Sequence, residues 1–200
     1  MAKPIDFYFD FSSPYGYLAA QRIDEIAAEF KREVIWRPFL IGAVFKTTGG
    51  QPLLDIPMKG DYARRDLERS ARLMDIPFAV PDPFPFMSVS ACRACYWLGE
   101  KDAAAGKALA QALYSAAFAE GRNIANPQGV ADVAADLGHD RDEVIAAVQD
   151  QRIKDLLKQE VDAAIGKGVF GSPYIIIDGE PFWGYDRLED IGVWLESGGW

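Results

Sequence analysis

The feature that most constrains the fold of this chain is the order of strand-like and helix-like segments at its two ends. Near the N-terminus, residues 5–11 alternate apolar and acidic residues with aromatics, which is typical of a strand. A helical pattern then runs to Phe30, and Val34-Ile35-Trp36 predicts a second strand. A strand, a helix and a strand joined this closely form a βαβ unit, whose two strands are parallel.

The C-terminal end has a different order. A helical pattern over 153–165 precedes the apolar run Tyr174-Ile175-Ile176-Ile177, which predicts a buried strand. Asp178-Gly179 is a strong signal for a two-residue hairpin turn, so a return strand begins near Phe182-Trp183. A helical pattern over 188–195 closes the chain.

Between the two ends the sequence predicts helices and no strand. The helical patterns cover 61–74, 88–101, 106–118, 128–137 and 141–150. The glycines and threonines of 40–51 predict a loop, and the prolines of 76–85 predict extended chain. This order predicts an α/β protein of thioredoxin-like fold with an all-helical domain inserted after the second strand. The expected parts are 1–45 and 153–200 for the thioredoxin-like domain and 46–152 for the helical domain.

Composition narrows the classes of partner. The 30 acidic and 21 basic residues give a formal net charge of −9, which argues against a nucleic-acid partner because phosphate binding needs clustered Lys and Arg. The apolar stretches are too short and interrupted for a membrane span. The first residues lack the apolar region and cleavage site of a secretory signal. We therefore expect a cytoplasmic protein.

The two cysteines, Cys92 and Cys95, form a CxxC pair, which in a cytosolic chain invites a redox interpretation. They lie on one face of a predicted helix, with no Pro or Gly between them and no strand before them. We favour two small core residues, since free cysteine is among the most buried residue types. A metal site is not expected, because the chain has one histidine, His139, in a polar turn between helices.

The turn between the first strand and the first helix is the expected reactive position. A helix N-terminus presents unpaired N–H groups and a dipole that stabilise an anion such as a thiolate. Ser13-Pro14-Tyr15-Gly16 has the layout of Cys-Pro-Tyr-Cys with both sulfurs missing, so this turn cannot form a disulfide. The Ser13 hydroxyl can instead donate a hydrogen bond to the thiolate of another molecule. The alternative is a plain helix cap, a common role for serine before proline.

A second feature, Ser172-Pro173, stands at the start of the predicted central strand. Proline cannot donate to a strand ladder, so its presence there needs a reason. In thioredoxin-like folds this position holds a cis-proline beside the active-site turn. The residue before it then presents its backbone N–H and C=O to a peptide-like ligand. Ser13 and Pro173 together therefore favour a site over a simple cap.

Five segments, spread from end to end, carry a resemblance to a known family. They are 7–15 (FYFDFSSPY), 37–42 (RPFLIG), 56–62 (IPMKGDY), 169–173 (VFGSP) and 182–188 (FWGYDRL). As a set they resemble the 2-hydroxychromene-2-carboxylate isomerase family, close kin of kappa-class glutathione transferases and more distant kin of periplasmic disulfide oxidoreductases.

The resemblance implies a glutathione-dependent isomerase of bacterial naphthalene-type aromatic breakdown. Its reaction interconverts 2-hydroxychromene-2-carboxylate and trans-o-hydroxybenzylidenepyruvate by reversible addition of the glutathione thiolate to the conjugated alkene. It also implies a homodimer acting on a small aromatic substrate. The resemblance leaves open a kappa-like transferase or peroxidase acting on another electrophile, and a non-catalytic thiol-peptide binding protein.

The resemblance also assigns roles to residues. Ser13 holds the glutathione sulfur as a thiolate, and Lys59 binds a glutathione carboxylate. Ser172 and Pro173 pair with the cysteinyl backbone, while Tyr185 and Asp186 bind the γ-glutamyl end, Asp186 taking its ammonium. The charges suit glutathione, which carries two carboxylates and one ammonium. The alternatives are an exposed loop lysine for Lys59 and a helix cap for Asp186.

Aromatic residues could line a flat pocket near this site, although core packing is the expected role for most of them. They are Phe45, Phe84, Phe86, Trp97, Phe170 and Trp183.

Overall fold

The computed structural model describes residues 3–200, which form four strands and ten α-helices. The strands are β1 (Ile5–Phe9), β2 (Val34–Pro38), β3 (Tyr174–Ile177) and β4 (Glu180–Trp183). The helices between β1 and β2 and directly after β2 are α1 (Pro14–Ala20), α2 (Ile23–Glu29) and α3 (Ile41–Thr48). The remaining helices are α4 (Lys59–Leu73), α5 (Val89–Lys101), α6 (Ala103–Phe118), α7 (Pro127–Asp136), α8 (Arg141–Gln149), α9 (Gln151–Gly166) and α10 (Leu188–Ser197).

The strands form one mixed sheet in the order β2-β1-β3-β4. β1 pairs with β2 in parallel, as the βαβ pattern predicts, and with β3 antiparallel. β3 and β4 form the predicted hairpin, whose turn residues Asp178 and Gly179 have φ angles of 54° and 100°. Positive φ at both positions is the requirement of the tight turn that Asp-Gly favours.

Two local expectations are wrong. The helical pattern that runs to Phe30 is two helices, because Gln21 and Arg22 donate to carbonyls three residues back and interrupt the α-helical register. The expected loop over 40–51 contains α3, which begins directly after Leu40. Its glycine lies in the first turn, and Gly49 ends the helix with a φ of 71°, a conformation that glycine adopts without strain.

The other helical expectations are confirmed to within three residues at each end, and 76–85 contains no helix or strand. The proposed division at 45 and 152 stays a prediction.

Helix α6 packs against the first strand and the turn that follows it, and this packing matters for the site. Phe9 and Phe11 of the first strand and its turn lie 5.4 and 5.1 Å, ring centre to ring centre, from Tyr114 of α6. The helices after β2 therefore share a core with the thioredoxin-like part.

Candidate active site

Ser13 lies at the N-terminus of α1, directly after the turn that leaves β1. Its hydroxyl oxygen accepts from the N–H of Gly16 at 3.0 Å, so it caps the helix as its position before Pro14 predicts. The same hydroxyl donates to the carbonyl oxygen of Ser172 at 2.8 Å. The cap and the contact with Ser172 are therefore both present, and the half-buried hydroxyl remains on a cavity wall.

Ser172 and Pro173 reach this turn from the other end of the chain. The peptide bond between them is cis, and both residues are buried. The Ser172 hydroxyl accepts from the N–H of Asp10 at 2.9 Å, a contact between residues 162 positions apart. The structure therefore brings Ser13, Ser172 and Pro173 together, as the sequence predicts.

A buried carboxylate, that of Asp10, lies beneath the turn. One oxygen accepts from the N–H and hydroxyl of Ser12 at 2.8 and 2.9 Å and from the Ser88 hydroxyl at 2.8 Å. The other accepts from the N–H of Ile41 at 2.8 Å. Burial raises the pKa of Asp10, and these donors oppose the rise without cancelling it. This carboxylate therefore joins the Ser13 turn to the starts of α3 and α5.

An open cavity of about 740 Å³ extends from Ser13 and Pro173. Its polar groups are few and include the hydroxyls of Ser12 and Ser13 and the carboxylates of Asp66 and Asp186. Its walls are mostly apolar or aromatic: Ile41, Phe45, Leu53, Leu54, Ile56, Phe84, Pro85, Phe170 and Trp183. Within the described residues 3–200, the lining contains no Lys, Arg or His. A mostly apolar cavity with a few converging polar groups is the usual form of a small-molecule site.

Lys59 is the first residue of α4 and is exposed. It lines a smaller cleft of about 370 Å³ beside the main cavity, and the two share Tyr15, Leu53 and Tyr62 as walls. The structure thus puts Lys59 next to the cavity that contains Ser13, across that shared wall.

Tyr185 and Asp186 also line the main cavity. The ring of Tyr185 stacks on Tyr15 at 5.5 Å, and its hydroxyl is hydrogen-bonded to Ser70. The Asp186 carboxylate is exposed and pairs with Arg187 at 2.9 Å. It approaches Gly184, where a side chain would collide with it and where φ is 113°. Asp186 lies in a short 3₁₀ turn and does not cap α10, so the alternative of a helix cap is not what the structure shows.

Most of the six aromatic residues line the cavity, although the sequence predicted core packing for most of them. Phe45, Phe84, Phe170 and Trp183 line the cavity, whereas Phe86 packs on Phe118 and Trp97 lies under Lys101. Phe170 and Trp183 are 44% and 58% exposed and contact each other edge to face at 5.0 Å. The indole of Trp183 lies against Gly171, where any side chain would displace it. These two rings form an aromatic rim beside Pro173.

Sequence reasoning missed three residues at the site: Asp10, Tyr114 and Asp66. Tyr114 donates its hydroxyl to the carbonyl of Asp10 at 2.9 Å. Asp66 accepts from the Tyr15 hydroxyl at 3.0 Å, and burial together with this carboxylate raises the pKa of Tyr15. Asp10 lies within the segment 7–15, but no local pattern distinguishes it from an exposed aspartate in a turn. Only the fold assembles their contacts.

Cys92 and Cys95 are both buried in α5, as expected of core residues. Burial raises the pKa of both thiols, which keeps them protonated and unreactive. Among the described residues no group of three or more His, Cys, Asp or Glu side chains could hold a metal ion. No described helix is both long and apolar enough to span a membrane.

The fold and site can be compared with known proteins. A family model described as a DSBA-like thioredoxin domain matches residues 4–193. Glutathione S-transferase kappa 2 of Caenorhabditis elegans is 31% identical over 206 residues, covering 96% of this chain and 92% of that protein. A 2-hydroxychromene-2-carboxylate isomerase of Pseudomonas putida is 30% identical over 186 residues, covering 92% of this chain and 90% of the isomerase.

A solved structure of a 2-hydroxychromene-2-carboxylate isomerase superposes on this chain with a TM-score of 0.88 at 29% identity. The match covers 96% of this chain and 94% of that one. The thioredoxin-like fold with inserted helices is therefore confirmed, and the relatives are isomerases and glutathione transferases. The chain belongs to the DSBA-like thioredoxin domain family and is related within it to 2-hydroxychromene-2-carboxylate isomerases and kappa-class glutathione transferases.

Proposed function

We propose that this protein is a glutathione-dependent enzyme in which Ser13 holds the glutathione sulfur as a thiolate. The observation that carries the proposal is the position of the Ser13 hydroxyl at the N-terminus of α1, beside the Ser172 carbonyl and cis-Pro173 on a cavity wall. A helix N-terminus and a hydroxyl donor both stabilise an anion. The Ser13 hydroxyl has one proton, which it donates to the Ser172 carbonyl in the structure, so in the proposed complex the hydroxyl turns and donates that proton to the sulfur instead. Because the protein has no cysteine at this turn, the reacting sulfur comes from the bound cofactor.

The first candidate reaction is the isomerisation of 2-hydroxychromene-2-carboxylate to trans-o-hydroxybenzylidenepyruvate. The hemiketal ring of the chromene first opens: its C2–O1 bond breaks, the phenol oxygen takes up the proton of the 2-hydroxyl, and C2 becomes a ketone conjugated with the alkene. The thiolate then adds to that alkene and forms a C–S bond while the negative charge moves to the ketone oxygen, and the former double bond rotates as a single bond. The C–S bond breaks again, which restores the alkene and releases the thiolate unchanged. The relatives that are isomerases support this reaction, and the apolar cavity beside Ser13 suits an aromatic ring.

Glutathione binding involves the two ends of the site. Asp186 takes the γ-glutamyl ammonium beside Tyr185, the Ser172 backbone and Pro173 pair with the cysteinyl unit, and Lys59 binds a carboxylate. The opposite charges of Lys59 and Asp186, one in the side cleft and one in the main cavity, support this orientation.

The second candidate reaction is transfer of glutathione to a neutral aromatic electrophile. One observation favours it: the cavity lining in the described residues has two carboxylates and no cationic side chain. A substrate carboxylate buried among apolar walls loses hydration without a cation to replace it, whereas a neutral ring does not. The lining is therefore better matched to a neutral second substrate than to the chromene carboxylate.

The two reactions are separated by one set of assays. The chromene carboxylate and 1-chloro-2,4-dinitrobenzene are each incubated with the protein, with and without glutathione. Glutathione-dependent isomerisation is the expected result for the first candidate, and halide release with conjugate formation for the second. If glutathione binds by calorimetry but neither reaction occurs, the protein is a thiol-peptide binder and both candidates are wrong.

Calorimetry also tests the assignment of Asp186. Because its carboxylate is exposed and already paired, Asp186→Ala should weaken glutathione binding by only about twofold to fivefold. Asp190→Ala is the matched control, since Asp190 also pairs with Arg187, at 2.7 Å, but does not line the cavity. An equal loss of glutathione affinity in both variants would show that Asp186 does not bind glutathione directly.

We also propose that the protein is a homodimer. The large apolar side chains of Met58, Leu73 and Met87 are exposed, and a second copy that covers them would remove their apolar surface from water. Light scattering should give a mass near twice 22.1 kDa, and a monomer mass at micromolar concentration would contradict the proposal. The cytoplasmic location stays a prediction from the sequence.

A further inference from the structure

A hydroxyl from the long helical stretch reaches the reactive turn. Tyr114 of α6 is 0% exposed, and its hydroxyl donates to the carbonyl of Asp10 at 2.9 Å. The Ser172 hydroxyl is a second neighbour of the same phenol oxygen. Burial raises the pKa of Tyr114 well above its ordinary value, so the phenol stays neutral and keeps its proton for donation.

The groups that Tyr114 contacts are the ones that hold Ser13. The Asp10 carbonyl also accepts from the N–H of Ser13 at 2.8 Å. The Asp10 N–H donates to the Ser172 hydroxyl at 2.9 Å, and the Ser172 carbonyl accepts from the Ser13 hydroxyl at 2.8 Å. Asp10, Ser13 and Ser172 thus form a closed set of hydrogen bonds, and the Tyr114 hydroxyl lies on its buried side.

Gly16 leaves the space that this hydroxyl occupies. A Cβ at position 16 would collide with the Tyr114 oxygen and lie 3.0 Å from the Ser172 hydroxyl. Position 16 is where the second cysteine stands in a Cys-Pro-Tyr-Cys layout. A side chain at residue 16 and the Tyr114 hydroxyl therefore exclude each other, and this chain has the hydroxyl.

We propose that Tyr114 is a positioning residue: its hydroxyl, in the space that the second cysteine of a dithiol turn would fill, fixes Ser13 relative to Ser172 and the N-terminus of α1. It touches neither substrate nor sulfur, and it acts through Asp10 and Ser172. Its effect on glutathione chemistry rests on the function proposed above, but its effect on the geometry at position 13 does not.

The first test therefore uses no glutathione. In a Ser13→Cys background, the alkylation rate of the new thiol is measured against pH, with and without Tyr114→Phe. The two native cysteines are buried and do not contribute. Loss of positioning should raise the thiol pKa and lower the alkylation rate at neutral pH by about threefold to tenfold, since one pKa unit is a tenfold change in thiolate fraction.

Tyr17→Phe in the same background is the matched control. Tyr17 is also fully buried, and its hydroxyl also donates to a backbone carbonyl, that of Pro77 at 2.8 Å, away from the turn. It should lose stability like Tyr114→Phe and leave the thiol pKa unchanged. If Tyr114→Phe and Tyr17→Phe give the same pKa for the Cys thiol introduced at position 13, Tyr114 has a structural role only and the proposal is wrong.

A second variant, Gly16→Ala, keeps the test decisive if Tyr114→Phe alone unfolds, and the double variant with Tyr114→Phe checks the shared space if Tyr114→Phe folds. Gly16→Ala forces the hydroxyl away, so it should raise the thiol pKa in the same direction as Tyr114→Phe. In the double variant the new methyl group has more room, and its added effect on stability and thiol pKa should be smaller than in the single variant. Strictly additive effects would contradict the claim that a side chain at residue 16 and the Tyr114 hydroxyl compete for the same space.

With native Ser13, Tyr114→Phe should lower kcat roughly tenfold and change the KM for glutathione less than about threefold. The reason is that a misplaced Ser13 hydroxyl weakens the stabilisation of the thiolate more than it weakens the binding of the rest of glutathione. A wild type that binds no glutathione would refute the proposed function and leave the thiol measurement standing. An unchanged thiol pKa in Tyr114→Phe would refute the positioning role even if the enzyme is active.

Discussion

Replacing Ser13 by alanine is expected to lower kcat/KM for the glutathione-dependent reaction on the order of 10²–10³-fold, the usual loss when one preorganised donor to an anion is removed. The Ser13 hydroxyl is the side-chain donor at the N-terminus of α1 that borders the cavity beside Pro173. The backbone N–H groups and the helix dipole remain in the variant, so some thiolate stabilisation persists. The expected loss is therefore in the chemical step more than in glutathione affinity.

The variant should remain folded. Ser13→Ala removes the cap bond to the Gly16 N–H, which costs about 1 kcal/mol in free energy of unfolding. Steady-state kinetics, together with the ultraviolet absorbance of the bound thiolate, separates a catalytic loss from a folding loss. The thiolate absorbance at neutral pH should fall in Ser13→Ala, since the pKa of the bound sulfur rises.

Ser12→Ala is the matched control, because Ser12 is the neighbouring hydroxyl on the same cavity wall. Its hydroxyl donates to the Asp10 carboxylate at 2.9 Å. Its backbone N–H donates to the same carboxylate oxygen and remains in the variant. We expect Ser12→Ala to lower kcat/KM by less than about threefold, the effect of a bond worth roughly 0.5 kcal/mol. If Ser12→Ala is inactive and Ser13→Ala is active, the reactive hydroxyl is that of Ser12.

Asp10→Ala is expected to have the largest effect on stability, a loss of about 2–4 kcal/mol in the free energy of unfolding. The substitution leaves the N–H groups of Ser12 and Ile41 and the Ser88 hydroxyl without their acceptor, and a buried group that loses its partner costs about 1–3 kcal/mol. The estimate is below the sum of these costs because the variant also no longer buries a carboxylate. Urea unfolding of both proteins measures the difference.

The loss should depend on pH in a defined direction. Burial raises the pKa of Asp10 above its ordinary value of 3.8, so the folded protein binds the proton more tightly than the unfolded chain. The contribution of Asp10 to stability is therefore fully present below pH 3.8 and declines as pH rises through the raised pKa. The gap between wild type and Asp10→Ala should shrink as the pH of the urea titration rises; a gap that widens would contradict the raised pKa.

Asp6→Ala provides the control for a carboxylate of the same strand region. Asp6 pairs with Arg37 at 2.7 Å and with Lys167 at 3.3 Å near the surface, and its side chain remains partly exposed. Such pairs contribute about 0–1 kcal/mol, and Asp6→Ala should lose no more than that. A loss as large as that of Asp10→Ala would mean that the buried hydrogen bonds of Asp10 are not the cause.

The parts of the fold that the sequence predicts well depend on neighbours along the chain. The parallel β1–β2 unit and the Asp178-Gly179 hairpin follow from alternation, helical spacing and the φ angles that short turns require. Helix α3 was missed because its glycine and threonines disfavour a helix locally, whereas burial of Val44 against the core favours it. Tertiary packing outweighed local propensity there.

The candidate site divides in the same way. The sequence alone determined that a serine stands where a cysteine could, at a helix N-terminus, and that a proline opens the central strand, since both are patterns of adjacent residues. It could not determine that Tyr114 fills the space at Gly16, that Asp10 joins three segments, or that Lys59 lies in the side cleft. Those contacts join residues up to 104 positions apart for Asp10 and Tyr114, and the packing of α6 against the first strand creates them. Hydrogen bonding and exclusion of volume act through space, so only the tertiary structure decides them.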